Sequence, residues 1–180
     1  MAFRTMTRTD KQTLVLTAGM VVAVAVLLAS CLIPEDLSEC DTNADCRDQY
    51  SKRAYCADDD VCETYTREEY LAPPCDYETF GEPYESDEPV IGAILAASAN
   101  NDNLLTSVQV AYEEFQNAGV DLSVVVCSSE SKLERARQAA NHLAQIGVKA
   151  IVGPDSSSQV IQLGQDIFIP NQMLSVSPAA

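Results

Sequence analysis

The sequence predicts an α/β fold, an open parallel sheet with helices on both faces over residues 90–180, preceded by a small disulfide-rich segment. Three observations carry this. Short runs rich in Val, Ile and Leu begin near residues 90, 122, 149 and 173, a repeat that leaves room for one strand and one crossover helix each. Helical periodicity fills the intervals between them. The cysteines, by contrast, concentrate ahead of residue 90, where aliphatic residues are scarce.

In chain order, Arg4, Arg8 and Lys11 precede a run from Leu14 to Ala29 without a charged side chain, the n-region and h-region of a secretory leader. The uncharged stretch from Gln12 to Pro34 is also long enough to cross a bilayer, so a membrane-spanning anchor is the competing reading. Both export the rest of the chain. The run ends in Leu28, Ala29, Ser30 and Cys31, which resembles the lipobox of bacterial lipoproteins. That resemblance implies that residues 1–30 are removed and that Cys31 carries a lipid anchoring the protein to a membrane. Leu32, in place of the Asp that favours inner-membrane retention, points to the outer membrane of the cell envelope, facing the periplasm or the cell surface.

The formal net charge of -16 excludes a nucleic-acid partner, which would need clustered Lys and Arg. The acidity is local: residues 35–88 hold 18 Asp or Glu against 4 Lys or Arg. With Cys31 assigned to lipid, Cys40, Cys46, Cys56, Cys62, Cys75 and Cys127 remain, an even number suited to disulfides in an oxidising compartment. The equal spacings Cys40 to Cys46 and Cys56 to Cys62 read as a small stapled knot within an acidic module over 31–74. Six cysteines allow about 15 connectivities, and spacing does not choose among them. Residues 75–89, with Gly81, Pro83, Pro89 and six acidic side chains, read as a solvated linker. Asp41, Asn43 and Asp45 alternate as at the start of a calcium loop, but Cys46 stands where the turn needs Gly and Lys52 where a closing Glu is needed, so no metal is expected. Asp58 to Asp60 read as a solvated turn.

Val90 to Leu95 is the first strand of the 90–180 region. Leu104, Val108, Ala111, Tyr112 and Phe115 mark the inward face of the first helix, closed by Gly119. Leu122 to Cys127 forms the second strand, its consecutive valines matching a strand covered on both faces. Ser131 and Glu134 form a capping box that opens a second helix with Leu133, Ala136, Ala140 and Leu143 inward, ended by Gly147. Lys149 to Val152 is the third strand. A helix containing Val160, Ile161 and Leu163 follows, weakened by Gly164, and Met173 to Val176 is the fourth strand.

In open parallel sheets ligands sit beyond the carboxyl ends of the strands. There the chain offers Ala97 and Ser98, Ser128 and Ser129, Gly153 to Ser158, and Ser177 to Ala180, all small or hydroxylated apart from Pro154, Asp155 and Pro178. Ser156 and Ser157 lead into a helix whose free N–H groups and hydroxyls suit a carboxylate; the same serines also suit simple helix capping. No nucleophile, base and orienter set is discernible, so no enzyme is expected, and no cofactor. His142 falls inside the second helix.

Ile151-Val152-Gly153-Pro154-Asp155-Ser156-Ser157 and Ser175-Val176-Ser177-Pro178-Ala179-Ala180 resemble the corresponding motifs of type I periplasmic binding proteins, in particular the branched-chain amino-acid receptors of ABC importers. The resemblance covers residues 90–180, about the first four strands of the first of two lobes, and so implies an N-terminal fragment or truncated product with an exposed sheet edge. It implies that Ser156 or Ser157 holds a ligand carboxylate and that the Ala179 carbonyl takes the ligand ammonium; the places just after the strands add Ser98, Asp155, Ser177 and Ala180 as binding candidates. A further threonine of the family's site would fall past Ala180. The function it implies is a solute-binding lipoprotein that presents an amino acid or similar small polar solute to an ABC permease. The alternative is a cell-envelope interaction or ligand-sensing lipoprotein acting through the cysteine-rich module.

Overall fold

The computed structural model describes residues 39–97 and 103–178, all within one compact unit, Ser38–Ala180. The signal-like segment, Cys31, Ser98, Ala179 and Ala180 lie outside the described residues. Among the described residues no helix is long and apolar enough to cross a membrane.

The acidic module holds helix α1 (Asn43–Gln49), a hairpin of β1 (Ala54–Cys56) and β2 (Cys62–Thr64), and a short helix α2 (Arg67–Tyr70). Its own cluster is small, with Cys40, Cys46 and Ala54 buried and Cys56 and Cys62 packed against them, while Tyr70 of α2 is buried in the core of the sheet instead. Two disulfides, Cys40–Cys56 and Cys46–Cys62, fasten α1 and the chain before it to the hairpin. Such cross-links order a segment that has too few aliphatic side chains to order itself. The calcium-like residues serve the same end. Asp45 accepts hydrogen bonds from the backbone N–H of Thr42 (2.8 Å) and its hydroxyl (2.9 Å), which hold its carboxyl below the usual carboxylate range, and Asn43 Oδ1 accepts from the Cys56 N–H. Glu69 closes α2 through Thr66 in the same way.

The larger sheet has five strands in the order β3-β5-β4-β6-β7. Strands β4 (Val90–Leu95), β5 (Ser123–Ser128), β6 (Ala150–Val152) and β7 (Leu174–Val176) are mutually parallel, as the strand–helix alternation predicts. The fifth strand departs from expectation. Residues read as a solvated linker supply β3 (Glu78–Phe80), which pairs antiparallel with β5 through Phe80↔Val124 and Glu78↔Val126. The chain there runs the length of β5: the Pro74 carbonyl accepts from the Ser128 N–H, and the Pro89 carbonyl from the Ser123 N–H. Cys75, buried, is joined to Cys127 near the carboxyl end of β5. Acidic side chains such as Asp76, Glu78 and Glu82 stand exposed along this edge, where charge discourages pairing with another sheet.

Helix α4 (Leu133–Gln145) buries Ala136, Ala139, Ala140 and Leu143 on one sheet face, with Ile94, Val125 and Ile151 beneath. Gly92 makes this approach possible, since a Cβ there would lie 2.7 Å from Leu143 Cδ1. The capping box expected at Ser131 and Glu134 does not form. Lys132 is the N-cap without a side-chain cap, and Glu130 and Ser131 form a positive-φ turn in which Ser129 Oγ accepts the Ser131 N–H. Helix α5 (Ser157–Leu163) continues at Gly164 into a π-helical turn over Gly164–Phe168.

Helix α3 (Asn103–Asn117) lies on the opposite face and buries none of its residues fully. Leu104, Val108 and Tyr112 are half-buried, but Ala111 and Phe115, expected inward, are exposed, Phe115 by 47%. The helix covers β4 and β5 only partly, leaving an apolar cavity of about 180 Å³ beneath it. The β7 edge carries Leu174 and Val176, 65% and 59% exposed.

Candidate functional site

The order of the sheet sets where a ligand would sit. From β4 the chain moves through α3 to β5 on one side, and then through α4 to β6 on the other, so the connections diverge between β4 and β6. At such a switch point the loops separate and leave a crevice beyond the carboxyl ends. Gly153 lies there, with φ +100. Its N–H donates to the Val176 carbonyl at 2.8 Å, and any Cβ would overlap the Ile94 carbonyl oxygen. Glycine alone lets the end of β6 pass this close to β4, and the passage directs Pro154, Asp155 and Ser156 into the start of α5.

The serines of these loops divide into two groups. Ser128 Oγ donates to the Ala97 carbonyl (2.6 Å), and Ser129 Oγ to the Leu95 carbonyl (3.1 Å). Both are buried and fasten the ends of β4 and β5 together. Ser177 Oγ donates to the Pro154 carbonyl (2.9 Å) and Ser175 Oγ to the Gly153 carbonyl (2.6 Å), so these two brace the turn rather than face outward. Ser156 and Ser157 differ. Ser156 is the N-cap of α5 yet makes no side-chain cap; its Oγ lies 3.0 Å from Ser158 Oγ, and Ser157 is exposed.

Two buried acceptors in this turn, Asp155 Oδ1 and Gln159 Oε1, have no donor among the described residues. Gln159 is 4% exposed. A buried oxygen without a hydrogen bond costs about 1–3 kcal/mol, so a donor from outside the protein, water included, is favoured at both atoms. Sequence inspection reaches Asp155 through its position after a strand. It does not single out Gln159, whose signal is only its spacing of four residues from Asp155 across the first turn of α5.

Comparison with family models, with curated proteins and with solved structures finds no match. What the crevice can do therefore follows from its own groups. Hydroxyls and helix-start amides at Ser156 and Ser157 suit an anionic oxygen, and the orphaned oxygens of Asp155 and Gln159 suit N–H or O–H donors. His142, the one histidine of the chain, is held at the Tyr70 carbonyl, 2.9 Å away, and ties α4 to α2. The sulfurs of Cys40, Cys46 and Cys62 lie within 4.8 Å of one another, but each is in a disulfide and is not a thiolate ligand.

Proposed function

We propose that this chain is a membrane-anchored solute-binding lipoprotein whose sheet unit is a lobe of the type I periplasmic binding protein kind. It takes an amino acid or a similar small polar solute at the crevice between β4 and β6, for delivery to an ABC permease. The observation that carries the reading is the pairing of acceptors without donors, Asp155 Oδ1 and Gln159 Oε1, with the outward serines Ser156 and Ser157 on one switch-point turn. A zwitterion satisfies both halves of that turn: its carboxylate receives the hydroxyls, and its ammonium supplies the missing donors. Ala179 and Ala180 belong to the same reading through the second motif, and Ser98 through its place in the chain just after β4.

Calorimetric titration of the exported chain with the common amino acids tests it. At least one is expected to bind, and Ser156→Ala with Ser157→Ala is expected to weaken that binding by at least about ten-fold, as does Asp155→Asn. Absence of heat with every amino acid, or affinity indifferent to all three substitutions, would overturn the reading. The anchor has its own check. Mass spectrometry of the mature protein is expected to find an acylated N-terminal Cys31, and an intact leader beginning at Met1 would refute it.

A further inference from the structure

A second cleft lies at the opposite, amino-terminal end of the sheet, where the disulfide module meets the start of β4 and of β6. It encloses about 270 Å³, just under the roughly 300 Å³ at which small-molecule pockets begin. Its walls combine Arg47 and Lys52 from the module with Tyr70, Val90, Ile146 and Val148.

The charges here are unusual for this protein. Residues 35–88 hold only 4 cations among 18 carboxylates, and two of the four, Arg47 and Lys52, are committed to this cleft. Neither is in an ion pair; the three ion pairs among the described residues, Lys132–Glu130, Arg135–Glu130 and Arg137–Asp166, all lie elsewhere. Arg47 Nη1 donates to the Gln145 carbonyl at 2.8 Å, and the guanidinium lies over Gly147, where a Cβ would come within 2.9 Å of Nε. Lys52 Nζ donates to the Glu88 carbonyl at 3.2 Å. Each therefore retains donors, since guanidinium carries five N–H and ammonium three. Both are half-buried, and burial lowers the pKa of each, against the opposing pull of Asp48 on Arg47 and of Asp87 and Glu88 on Lys52.

Two carboxylates stand at the same cleft and narrow the choice of ligand. Glu88 is occupied, its Oε2 accepting from Ser123 Oγ (3.2 Å) and Ser86 Oγ (3.4 Å), whereas Asp87 is exposed. Beside these acids, and with a net charge of -16, a multiply charged anion is disfavoured and a single negative charge suits the pair of cations. Val90, half-buried, and the edges of Tyr70, Ile146 and Val148, which are otherwise sunk in the core, form a small apolar floor that suits a compact apolar body.

We propose that this cleft is a second binding site, which takes a carboxylate on a small apolar body, the carboxylate between Arg47 and Lys52 and the body against Tyr70, Val90, Ile146 and Val148. Because it lies at the other end of the strands, it stands independently of the crevice beyond β4 and β6. A ligand here bridges the module and the sheet, since Arg47 and Lys52 belong to one and Ile146 and Val148 to the other.

The test is a calorimetric titration of the oxidised full chain with sodium 4-methylpentanoate and, in parallel, L-leucine, which has the same body with an added ammonium. Saturable binding of 4-methylpentanoate, which lacks the ammonium that the crevice beyond β4 and β6 calls for, is expected, weakened about ten-fold in Lys52→Gln and in Arg47→Gln. Preference for leucine would assign its ammonium to Asp87; preference for 4-methylpentanoate would assign the carboxylate alone. Lys52→Gln is decisive because Arg47 also fastens the module through Gln145, and a Lys52→Gln protein with unaltered melting has lost the ammonium only. No binding of either compound up to about 10 mM, or binding indifferent to Lys52→Gln, overturns the proposal. Leucine binding abolished by Ser156→Ala but kept in Lys52→Gln belongs to the crevice, and without Lys52-dependent binding of 4-methylpentanoate beside it the proposal is overturned.

Discussion

Replacing Gly153 with alanine is expected to destabilise the protein by about 4 kcal/mol, a fall in melting temperature on the order of 12 °C. Two effects add. At φ +100 an alanine is strained, and its methyl group would overlap the Ile94 carbonyl oxygen, which is backbone and has little freedom to move. Ile94 sits in β4, held between β5 and β6, so relief at one strand would disturb both neighbours. Gly119→Ala provides the comparison. That glycine also has positive φ (+75), but nothing lies within 4 Å of its Cβ position, so only backbone strain of about 1 kcal/mol is expected. Denaturant unfolding of both variants decides the matter, and equal losses would show that the close approach at Ile94 contributes nothing.

The second large effect is expected from removing the disulfide between Cys75 and Cys127. These residues are 52 apart in sequence, and the chain-entropy argument gives a loss of about 4 kcal/mol for a loop of that size. The double substitution Cys75→Ala, Cys127→Ala should also release the start of the segment that carries β3, because Cys127 lies in β5 and β3 pairs with that same strand. Unfolding midpoints report the first effect, and amide hydrogen exchange of residues 78–80 the second. A loss below about 1 kcal/mol, with protection of those amides unchanged, would show that hydrogen bonds alone seat the segment.

Much of the parallel sheet was legible because its signals are local. The apolar runs at Val90 to Leu95 and Val124 to Val126 need no partner to be recognised, and the inward positions Ala136, Ala140 and Leu143 follow from helical spacing. Gly119 and Gly147, read as helix ends, both adopt positive φ. Other readings failed where geometry overrode a local pattern. Ser131 and Glu134 fit a capping box by spacing, yet the bond from the Ser131 N–H to Ser129 Oγ places Ser131 in a turn and moves the helix start to Lys132. Acidic residues and prolines made 75–89 resemble a linker, because the feature that makes it a strand is its pairing with β5, more than forty residues away.

The candidate crevice divides in the same way. Its position, and the candidacy of Asp155, Ser156 and Ser157, follow from the rule that loops after parallel strands carry ligands. Which hydroxyls face inward does not. Ser128, Ser129 and Ser177 are indistinguishable from Ser156 in composition, and only the carbonyls of Ala97, Leu95 and Pro154 within hydrogen-bond reach set them apart. The seam cleft was wholly hidden, since Lys52 and Val148 are far apart in sequence and meet only when the module closes on the sheet.

By itself, then, the sequence determined the strand–helix alternation, the need for disulfides in an acidic segment poor in aliphatic residues, and the glycines at turns, all of which depend on neighbours a few residues away. The tertiary structure alone decided the three pairings Cys40–Cys56, Cys46–Cys62 and Cys75–Cys127, the antiparallel fifth strand, and which serines brace the strand-end loops. These depend on which distant groups approach within bonding distance, and that is fixed by packing across the whole sheet.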